Sequence, residues 1–466
     1  MLNVEYLVVG SGATAMAFVD TLLSSDAEAT VAMVDRRHVP GGHWNDAYPY
    51  VRLHQPSQYY GVASRELGRG RKDTTGLNRG LYELASGVEV TAYFHDVMED
   101  VFLPSGRVTY LPSSDYDPTS GTVTSLLSGE RTEVAHETLV DAGFLTTSIP
   151  LTHDRPFDVA DGVDCEPPNH LARLAAGRKH IVIIGGGKTG IDSITWLLGH
   201  GFPAENITWV VPRDSWLVNR LTVQPGVENF HHTVGSLATQ TEICAEVESV
   251  EELCRRQEEA GIWLRADPDV WPTMFHAATI STHELEEIRK VGNIVRGRHV
   301  SGIEPGHLLL ADGETVACDP DALHVDCTAS AAATNVGVRE PIFADDRINL
   351  QMVRPFQPCF SAAVIGRIEA TVDNDRRAAL TRPTPMTDTV ADWLRVSADG
   401  LLNAGAWSQE PALDGWLSAC RLNAIASLMA GVAPDAQAEM EVLGRLLTAV
   451  PSAIENLIRL ADEVGA

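Results

Sequence analysis

Residues 4–15, Val-Glu-Tyr-Leu-Val-Val-Gly-Ser-Gly-Ala-Thr-Ala, decide the fold of this chain. The apolar run predicts a buried strand, and the glycines that follow it predict a turn into a helix beginning near Ala13. Gly10 permits the tight turn, Gly12 lets a pyrophosphate approach the backbone, and Ala15 allows close packing of the helix. The helix N-terminus would then face the phosphates of a dinucleotide.

A second fingerprint of the same kind follows the apolar residues 181–184. Its candidate nucleotide-binding residues are Gly185, Gly187, Lys188, Thr189 and Gly190. The Gly-Lys-Thr within it imitates the end of a phosphate-binding loop, but that motif requires a glycine where Val182 stands. Two fingerprints, each between a strand and a helix, predict a protein that holds two nucleotides, a flavin and a nicotinamide.

The first fingerprint is extended by the segment after the second strand. That strand, at about residues 30–34, ends in Asp35, whose carboxylate would accept a hydrogen bond from a ribose hydroxyl. A Gly-Gly turn at residues 41–42 brings the backbone close to a flavin phosphate, and aromatic side chains after it can line the flavin ring. The further flavin-binding candidates in this segment are Arg36, Gly42, His43, Trp44 and Arg52.

This segment resembles the class B flavoprotein monooxygenases, which comprise the flavin-containing and Baeyer–Villiger branches. Their first domain carries an acidic residue, then Gly-Gly-x-Trp, then a Tyr-Pro segment, matched here by Gly41, Gly42, Trp44 and residues 48–49. The resemblance covers residues 4–65 well and the second fingerprint moderately. It implies FAD at the first fingerprint and NADPH at the second. It further implies molecular oxygen, activated as a flavin C4a-(hydro)peroxide that oxidises a small molecule at nitrogen, sulfur or a carbonyl.

The chain also departs from that family, as a divergent member would. The Phe-x-Gly-x-x-x-His linker is absent, and residues 157–162 offer no matching histidine. Gln55 stands where one branch has asparagine near the flavin, and His54 where the other has an acid. Gln55 can donate through its amide, and His54 is a candidate acid or base near neutral pH or a structural hydrogen-bonding group. A flavin-dependent dehydrogenase or reductase that does not use oxygen, and a non-catalytic nucleotide-binding protein, therefore stay open.

Arginines at the second site favour NADPH over NADH. Arg213 follows the strand at residues 207–211, where an acid would favour NAD and an arginine can pair with the 2′-phosphate of NADP. Related monooxygenases carry arginines here, so Arg213 and Arg220 are candidate phosphate ligands; solvated surface arginines are the alternative. Residues 360–366 predict a buried strand that ends in Gly366, and the resemblance implies that such a late strand ends beside the flavin.

The sequence thus predicts an α/β fold with two Rossmann-like dinucleotide-binding domains, antiparallel meanders and C-terminal helices. The NADPH domain is expected at residues 155–320, inserted in an FAD domain formed by 1–154 and 321–385. Residues 386–466 form the predicted helical region. Its apolar faces are expected to pack internally, and a homodimer interface is the alternative.

Composition restricts the partners. The formal net charge is −28 over 466 residues, which disfavours nucleic acid and anionic membrane surfaces. Seven scattered cysteines without a Cys-x-x-Cys pair fit a reduced, cytoplasmic compartment and offer no redox disulfide. The pair His231-His232 has no carboxylate or cysteine at ligand spacing, so we expect no metal site. The predicted partner is a small-molecule substrate.

Overall fold

The computed structural model describes residues 1–145, 147–330, 336–433 and 435–465. The strands, in chain order, are β1 (Leu2–Asn3), β2 (Tyr6–Val9), β3 (Val31–Val34), β4 (Val108–Leu111), β5 (Ser114–Asp117), β6 (Thr122–Ser125), β7 (Arg131–Ala135), β8 (Thr138–Asp141), β9 (Asp158–Val159), β10 (Cys165–Glu166), β11 (Ile181–Ile184), β12 (Ile207–Val211), β13 (Ser215–Asn219), β14 (Trp263–Leu264), β15 (Met274–Ile280), β16 (Asn293–Arg296), β17 (Val300–Glu304), β18 (His307–Leu310), β19 (Thr315–Ala317), β20 (Leu323–Asp326), β21 (Phe343–Ala344) and β22 (Arg347–Asn349).

The α-helices follow the same order. They are α1 (Ala13–Ser25), α2 (Gly87–Val97), α3 (Pro168–Leu174), α4 (Lys188–Gly199), α5 (Ser236–Glu246), α6 (Val250–Glu259), α7 (Thr282–Ile288), α8 (Pro358–Thr371), α9 (Asn374–Arg377), α10 (Val390–Ser408), α11 (Pro411–Ala419), α12 (Ala424–Met429) and α13 (Gln437–Gly465).

The first sheet has the strand order β21-β22-β8-β2-β3-β4, and all of its neighbouring pairs except β21 with β22 are parallel. Strand β3 is buried along its whole length and β2 along most of it, as expected for parallel strands covered on both faces. Helix α1 connects β2 to β3 and forms the predicted βαβ unit. We call this sheet and its helices the first unit.

The second sheet lies inside the first in chain order. Its order is β10-β20-β11-β12-β16, all parallel, and every one of its strands falls between β8 and β22, which are themselves neighbours in the first sheet. This nesting confirms the predicted fold class of one Rossmann-like unit inserted in another. The insertion extends past the predicted boundary at residue 320, because β20 pairs with β11 along its whole length. We call this part the second unit.

Antiparallel strands accompany both sheets, as predicted. Strands β5, β6 and β7 form a meander beside the first unit, and β17, β18 and β19 form another beside the second. A third small sheet, β14-β13-β15, carries an aromatic cluster against α10. That cluster joins the second unit to the C-terminal helices.

The predicted strand at residues 360–366 is wrong, because this segment is part of helix α8. Helix α8 packs along α1, and Gly366 lies at the contact. A Cβ atom on Gly366 would come within 2.7 Å of the carbonyl oxygen of Phe18. Gly366 therefore serves the approach of two helices, and the strand end that was expected beside the flavin does not exist.

Helices dominate the chain from α8 onward, including the predicted C-terminal region. Within the described residues, no helix combines the length and the apolar character that crossing a bilayer requires. The guanidinium of Arg421 reaches back from this region to the first unit and donates to the carbonyl oxygens of Gln58, Tyr60 and Arg65 at 2.6–3.0 Å. The C-terminal region thereby fixes the segment that follows the Gly-Gly turn.

Candidate functional site

Helix α1 begins with an open N-terminus. Gly10 has φ +111°, which permits the tight turn out of β2. Gly12 is the N-cap, with φ −74° and ψ −178°, and no side chain of the described residues caps the helix there. A Cβ on Gly12 would meet only the Cα of Gly42, at 3.7 Å. The free amides of the first turn, which starts at Ala13, and the bare backbone of Gly12 together suit an anion.

Asp35 and the Gly-Gly turn converge on this N-terminus. The Asp35 carboxylate accepts hydrogen bonds from the backbone N–H and the hydroxyl of Ser11, at 2.7 and 2.8 Å, and from the backbone of Arg37 at 2.8 Å. The backbone N–H of Gly41 donates to the Ser11 carbonyl oxygen at 2.9 Å. Gly42 has φ +57°, and a Cβ on it would lie 2.9 Å from the Cα of Gly12. The structure thus brings together the glycines and acid of the predicted flavin site.

The other flavin candidates surround this centre at different depths. Ala15 is fully buried in the hydrophobic core of the first unit, whereas the side chain of Arg36 is 74% exposed beside Asp115. The Trp44 indole donates to the Tyr60 hydroxyl at 2.7 Å. Arg52 is exposed and donates to the carbonyl oxygen of Leu84.

His43 stacks on Trp44, with the ring centroids 5.6 Å apart. Burial, and then the nearby Arg37, lower the pKa of His43 to about 4. This imidazole is therefore neutral at physiological pH, and at the edge of the fingerprint it can act as a hydrogen-bonding group.

Helix α4 repeats the geometry of α1. Gly185 has φ +130°, and the N-cap Gly187 has φ −82° and ψ −176°, within about ten degrees of Gly12, again without a capping side chain among the described residues. A Cβ on Gly187 would meet nothing within 4 Å, whereas one on Gly190 would collide with the Gly185 carbonyl oxygen at 2.3 Å. The second glycine is thus open to a ligand and the third is needed for packing. Thr189 lies in the first turn of α4.

Lys188 and Arg220 are not free to bind phosphate as predicted. The Lys188 ammonium contacts Asp192 and lies 3.3 Å from Glu284. The Arg220 guanidinium, fully buried, pairs with Glu284 and donates to the His54 carbonyl oxygen at 2.8 Å. Two cations and two carboxylates therefore form one buried cluster between the two units.

Further hydrogen bonds satisfy the buried polar groups of this cluster. Arg220 also donates to the Thr279 carbonyl oxygen at 2.9 Å and to the Asn78 side chain at 3.2 Å. The Tyr48 hydroxyl donates to Asp192 at 2.7 Å. Although burial raises it, the pKa of Glu284 is lowered overall by Lys188 and Arg220, so the carboxylate stays ionised. We call Lys188, Asp192, Arg220 and Glu284 the interunit cluster.

Arg213 does follow β12, but its guanidinium already has a partner. It forms a two-pronged ion pair with Asp388, with N–O distances of 2.7 and 2.8 Å. His276 also contacts Asp388, at 2.8 Å. The Arg213 side chain remains 41% exposed, so a phosphate can reach it by displacing the carboxylate.

His54 does not titrate near neutral pH, contrary to expectation. Burial, followed by Lys188 and Arg220, lowers its pKa to about 3, so the ring is neutral at pH 7 and cannot serve as a general acid there. Gln55, its neighbour, lines a cavity of about 210 Å³. This cavity is bounded by both units and by the C-terminal helices. The predicted pair thus separates into a residue at the interunit cluster and a residue at a cavity.

Sequence reasoning missed several residues of this region. Asp192 follows Lys188 by one helical turn, and that spacing alone signals an ion pair. Tyr48 belongs to the Tyr-Pro segment that was matched to the flavin domain, but its hydroxyl contacts Asp192 on α4, and the hydroxyl of Tyr50 contacts Ser193 on the same helix. Glu284 carries a visible signal, since it is the final residue of a Ser-x-x-Glu capping box, although that motif does not reveal its buried partners.

The chain is similar to known proteins in fold and in sequence. No protein-family model matches the chain. Among solved structures, the fold is similar to cyclohexanone monooxygenase in a closed form, with a TM-score of 0.47 at 14% identity over 93% of this chain and 98% of that one. It is also similar to a flavin-containing monooxygenase from Stenotrophomonas maltophilia, with a TM-score of 0.43 at 16% identity over 77% and 84% of the two chains.

A bacillithiol disulfide reductase from Bacillus cereus is similar to a comparable degree, with a TM-score of 0.46 at 12% identity over 79% of this chain and 99% of that one.

Sequence relatives are much closer. Three proteins, one from Mycobacterium bovis and two from strains of Mycobacterium tuberculosis, are each 40% identical over 469 residues. The match covers 100% of this chain and 86% of each relative, and all three carry the description of uncharacterized protein. The chain belongs to the family of these uncharacterized mycobacterial proteins.

Proposed function

We propose that the protein is an FAD- and NADPH-dependent oxidoreductase, a monooxygenase that oxidises a small molecule. The observation that carries this proposal is the repeated, open helix N-terminus at Gly12 and at Gly187. Each follows a buried parallel strand, and each presents free amides and a glycine backbone to an anion. A single-nucleotide enzyme would need only one of them.

FAD suits the first N-terminus. A Cβ would fill the space over Gly12, so the backbone there forms a cradle that a pyrophosphate can enter. Asp35 accepts three hydrogen bonds from Ser11 and Arg37 and keeps capacity for about one more, which a ribose hydroxyl would supply. Gly42 holds the turn against Gly12. Trp44, which donates a hydrogen bond to the Tyr60 hydroxyl, supplies an aromatic side chain two residues after Gly42.

NADPH is assigned to the second N-terminus. Gly187 would hold the pyrophosphate, and Arg213 would pair with the 2′-phosphate once Asp388 is displaced. Bound FAD would supply the redox chemistry, taking hydride from the nicotinamide and delivering electrons to oxygen. The chain orients the two nucleotides, because the interunit cluster joins the segment after the first fingerprint to the first turn of α4.

The proposal is tested on the purified full-length protein. The visible absorption spectrum should contain a flavin band, which anaerobic NADPH should bleach. Air should then restore the band, with oxygen uptake coupled to product only when a substrate is present. A protein that stays colourless after FAD is added would overturn the proposal. Reduction without any oxygen consumption would support the flavin reductase instead.

Matched glycine variants separate the two nucleotides. Gly12→Ala and Gly187→Ala each place a methyl group in open space, so the fold should tolerate them. We expect Gly12→Ala to lose flavin and to keep NADPH binding, and Gly187→Ala to keep the flavin band and to resist bleaching. Loss of both functions in both variants would contradict the assignment.

A further inference from the structure

The cavity beside Gln55 has one charged residue and many aromatic ones. Its volume is about 210 Å³, equal to roughly seven water molecules at about 30 Å³ each. Its aromatic walls are Tyr59, Trp263, Phe275, Phe356 and Trp393. Of the residues of the described chain that line it, Arg354 alone carries a formal charge.

The guanidinium of Arg354 has no partner in the described residues. No hydrogen bond or ion pair reaches the guanidinium there. Its surroundings in the cavity are partly polar, since glutamine side chains also line the space. Burial alone lowers the pKa of Arg354, which means that no carboxylate offsets the desolvation of the charge. A partly buried cation without a counter-charge is less well solvated than one at the surface, so its position suits an anionic ligand.

The backbone around Arg354 is held firmly. Its N–H donates to the Ser361 hydroxyl at 3.0 Å, and that hydroxyl donates to its carbonyl oxygen at 3.2 Å. The Asn403 amide donates to the carbonyl oxygen of Val353 at 2.7 Å. Phe356, two residues on, has φ +59°, a conformation that costs free energy in a residue other than glycine and that occurs often at ligand sites.

Tyr59 supplies a second polar group without a partner. Its side chain is 6% exposed, and in the described part of the chain its hydroxyl makes no hydrogen bond. A buried hydroxyl is normally satisfied. Tyr59 lies four residues after Gln55, in the segment that links the cavity to the predicted flavin site. Tyr59 and Arg354, each with a polar group that has no partner in the described residues, thus line the same cavity.

We propose that this cavity is the substrate site and that it takes a small aromatic carboxylate, whose carboxyl group binds to Arg354. A guanidinium pairs with a carboxylate through two parallel hydrogen bonds, and the aromatic walls cover the ring. A phosphate dianion would call for a second cation, which the lining lacks. The role of this ligand as a substrate rests on the proposed function, whereas the prediction that it binds in the cavity does not.

Calorimetric titration of the full-length protein tests the inference, with phenylacetate and its neutral analogue phenylacetamide as probes. We expect phenylacetate to bind roughly 10- to 100-fold more tightly, as a hydrogen-bonded charge implies. Arg354→Met should remove this preference, and Arg354→Lys should restore part of it. Arg382→Met is the matched control, because Arg382 is exposed and does not line the cavity.

The outcomes are distinguishable. Equal affinities of the two probes for the unaltered protein, or no binding of phenylacetate, would overturn the inference even if Arg354→Met does not fold. An equal loss of preference in Arg382→Met would also overturn it. A protein that prefers phenylacetate but retains no flavin would refute the proposed function alone, and a flavoprotein that does not discriminate would refute only this inference.

Discussion

At the scale of single residues, burial decides the chemistry of His54. Its folded pKa of about 3 lies well below the unfolded value of about 6.5, so between these values the unfolded chain binds more protons. This histidine contributes stability that is complete above pH 6.5 and is lost as the pH falls towards 3, by at most about 1.4 kcal/mol per pH unit. His43, with its pKa lowered to about 4, acts in the same direction.

We therefore expect His54→Asn to flatten the fall in unfolding free energy between pH 6 and pH 4. Urea unfolding at several pH values measures the slope. His232→Asn, at an exposed side chain, should leave that slope unchanged. An unaltered slope in His54→Asn would show that His54 is not held neutral by burial.

Arg213 gives a second prediction at this scale. If it binds the 2′-phosphate, Arg213→Met should raise the KM for NADPH roughly 10- to 100-fold, the effect of a lost hydrogen bond between charged groups, and leave that for NADH unchanged. Asp388→Asn should act oppositely, because it removes the carboxylate that competes for the guanidinium. Steady-state reduction with both nucleotides measures this. A change in Arg213→Met that is the same for both nucleotides would exclude the role.

At the scale of elements, glycines reveal which helices must approach each other. Gly366→Ala should lower the melting temperature, because its Cβ would meet the carbonyl oxygen of Phe18 at 2.7 Å, and overpacking of this kind costs about 1–3 kcal/mol. Gly405→Ala on α10 is the matched control. Nothing lies within 4 Å of its Cβ, so a stabilisation of up to about 1 kcal/mol is expected. Equal effects of the two changes would refute the close contact.

Helix α8 also shows why its secondary structure could not be predicted from the sequence pattern. Residues 360–365 are buried on all sides, so they carry neither the alternation of a strand nor the stripe of a helix. Pro358, at the first turn of α8, was the usable signal of a helix start. By contrast, Gly10, Gly12, Asp35 and Gly42 were predictable, since one local βαβ motif places them together.

At the scale of the whole molecule, contacts between distant parts of the chain were beyond prediction. Glu284 lies 64 positions from Arg220 and 96 from Lys188, and no pattern in the sequence links them. The cavity could not be predicted for the same reason, because residues from both units and from the C-terminal helices line it. A lone arginine between Val353 and Pro355 gives no sign of where it will be placed.

The interunit cluster should dominate the stability of the assembled units. Arg220→Met leaves Glu284 with one cation instead of two, and breaking a buried ion pair costs about 3–5 kcal/mol. Arg255→Met, which breaks an exposed pair with Glu259, should cost less than about 1 kcal/mol. Chemical denaturation compares the two variants. Similar losses would mean that the cluster is not effectively desolvated.

The four hydrogen bonds of the buried Arg220 guanidinium also restrict motion of the two units relative to each other. Swinging the second sheet away from the first would strip Arg220 of its two acceptors in the first unit, the His54 carbonyl oxygen and the Asn78 side chain, and would leave two buried N–H groups without partners. We therefore expect hinge opening between the two units to be disfavoured. We expect ligands to enter and leave by local rearrangement of side chains and loops, around a frame that keeps the distance between the two fingerprints nearly constant.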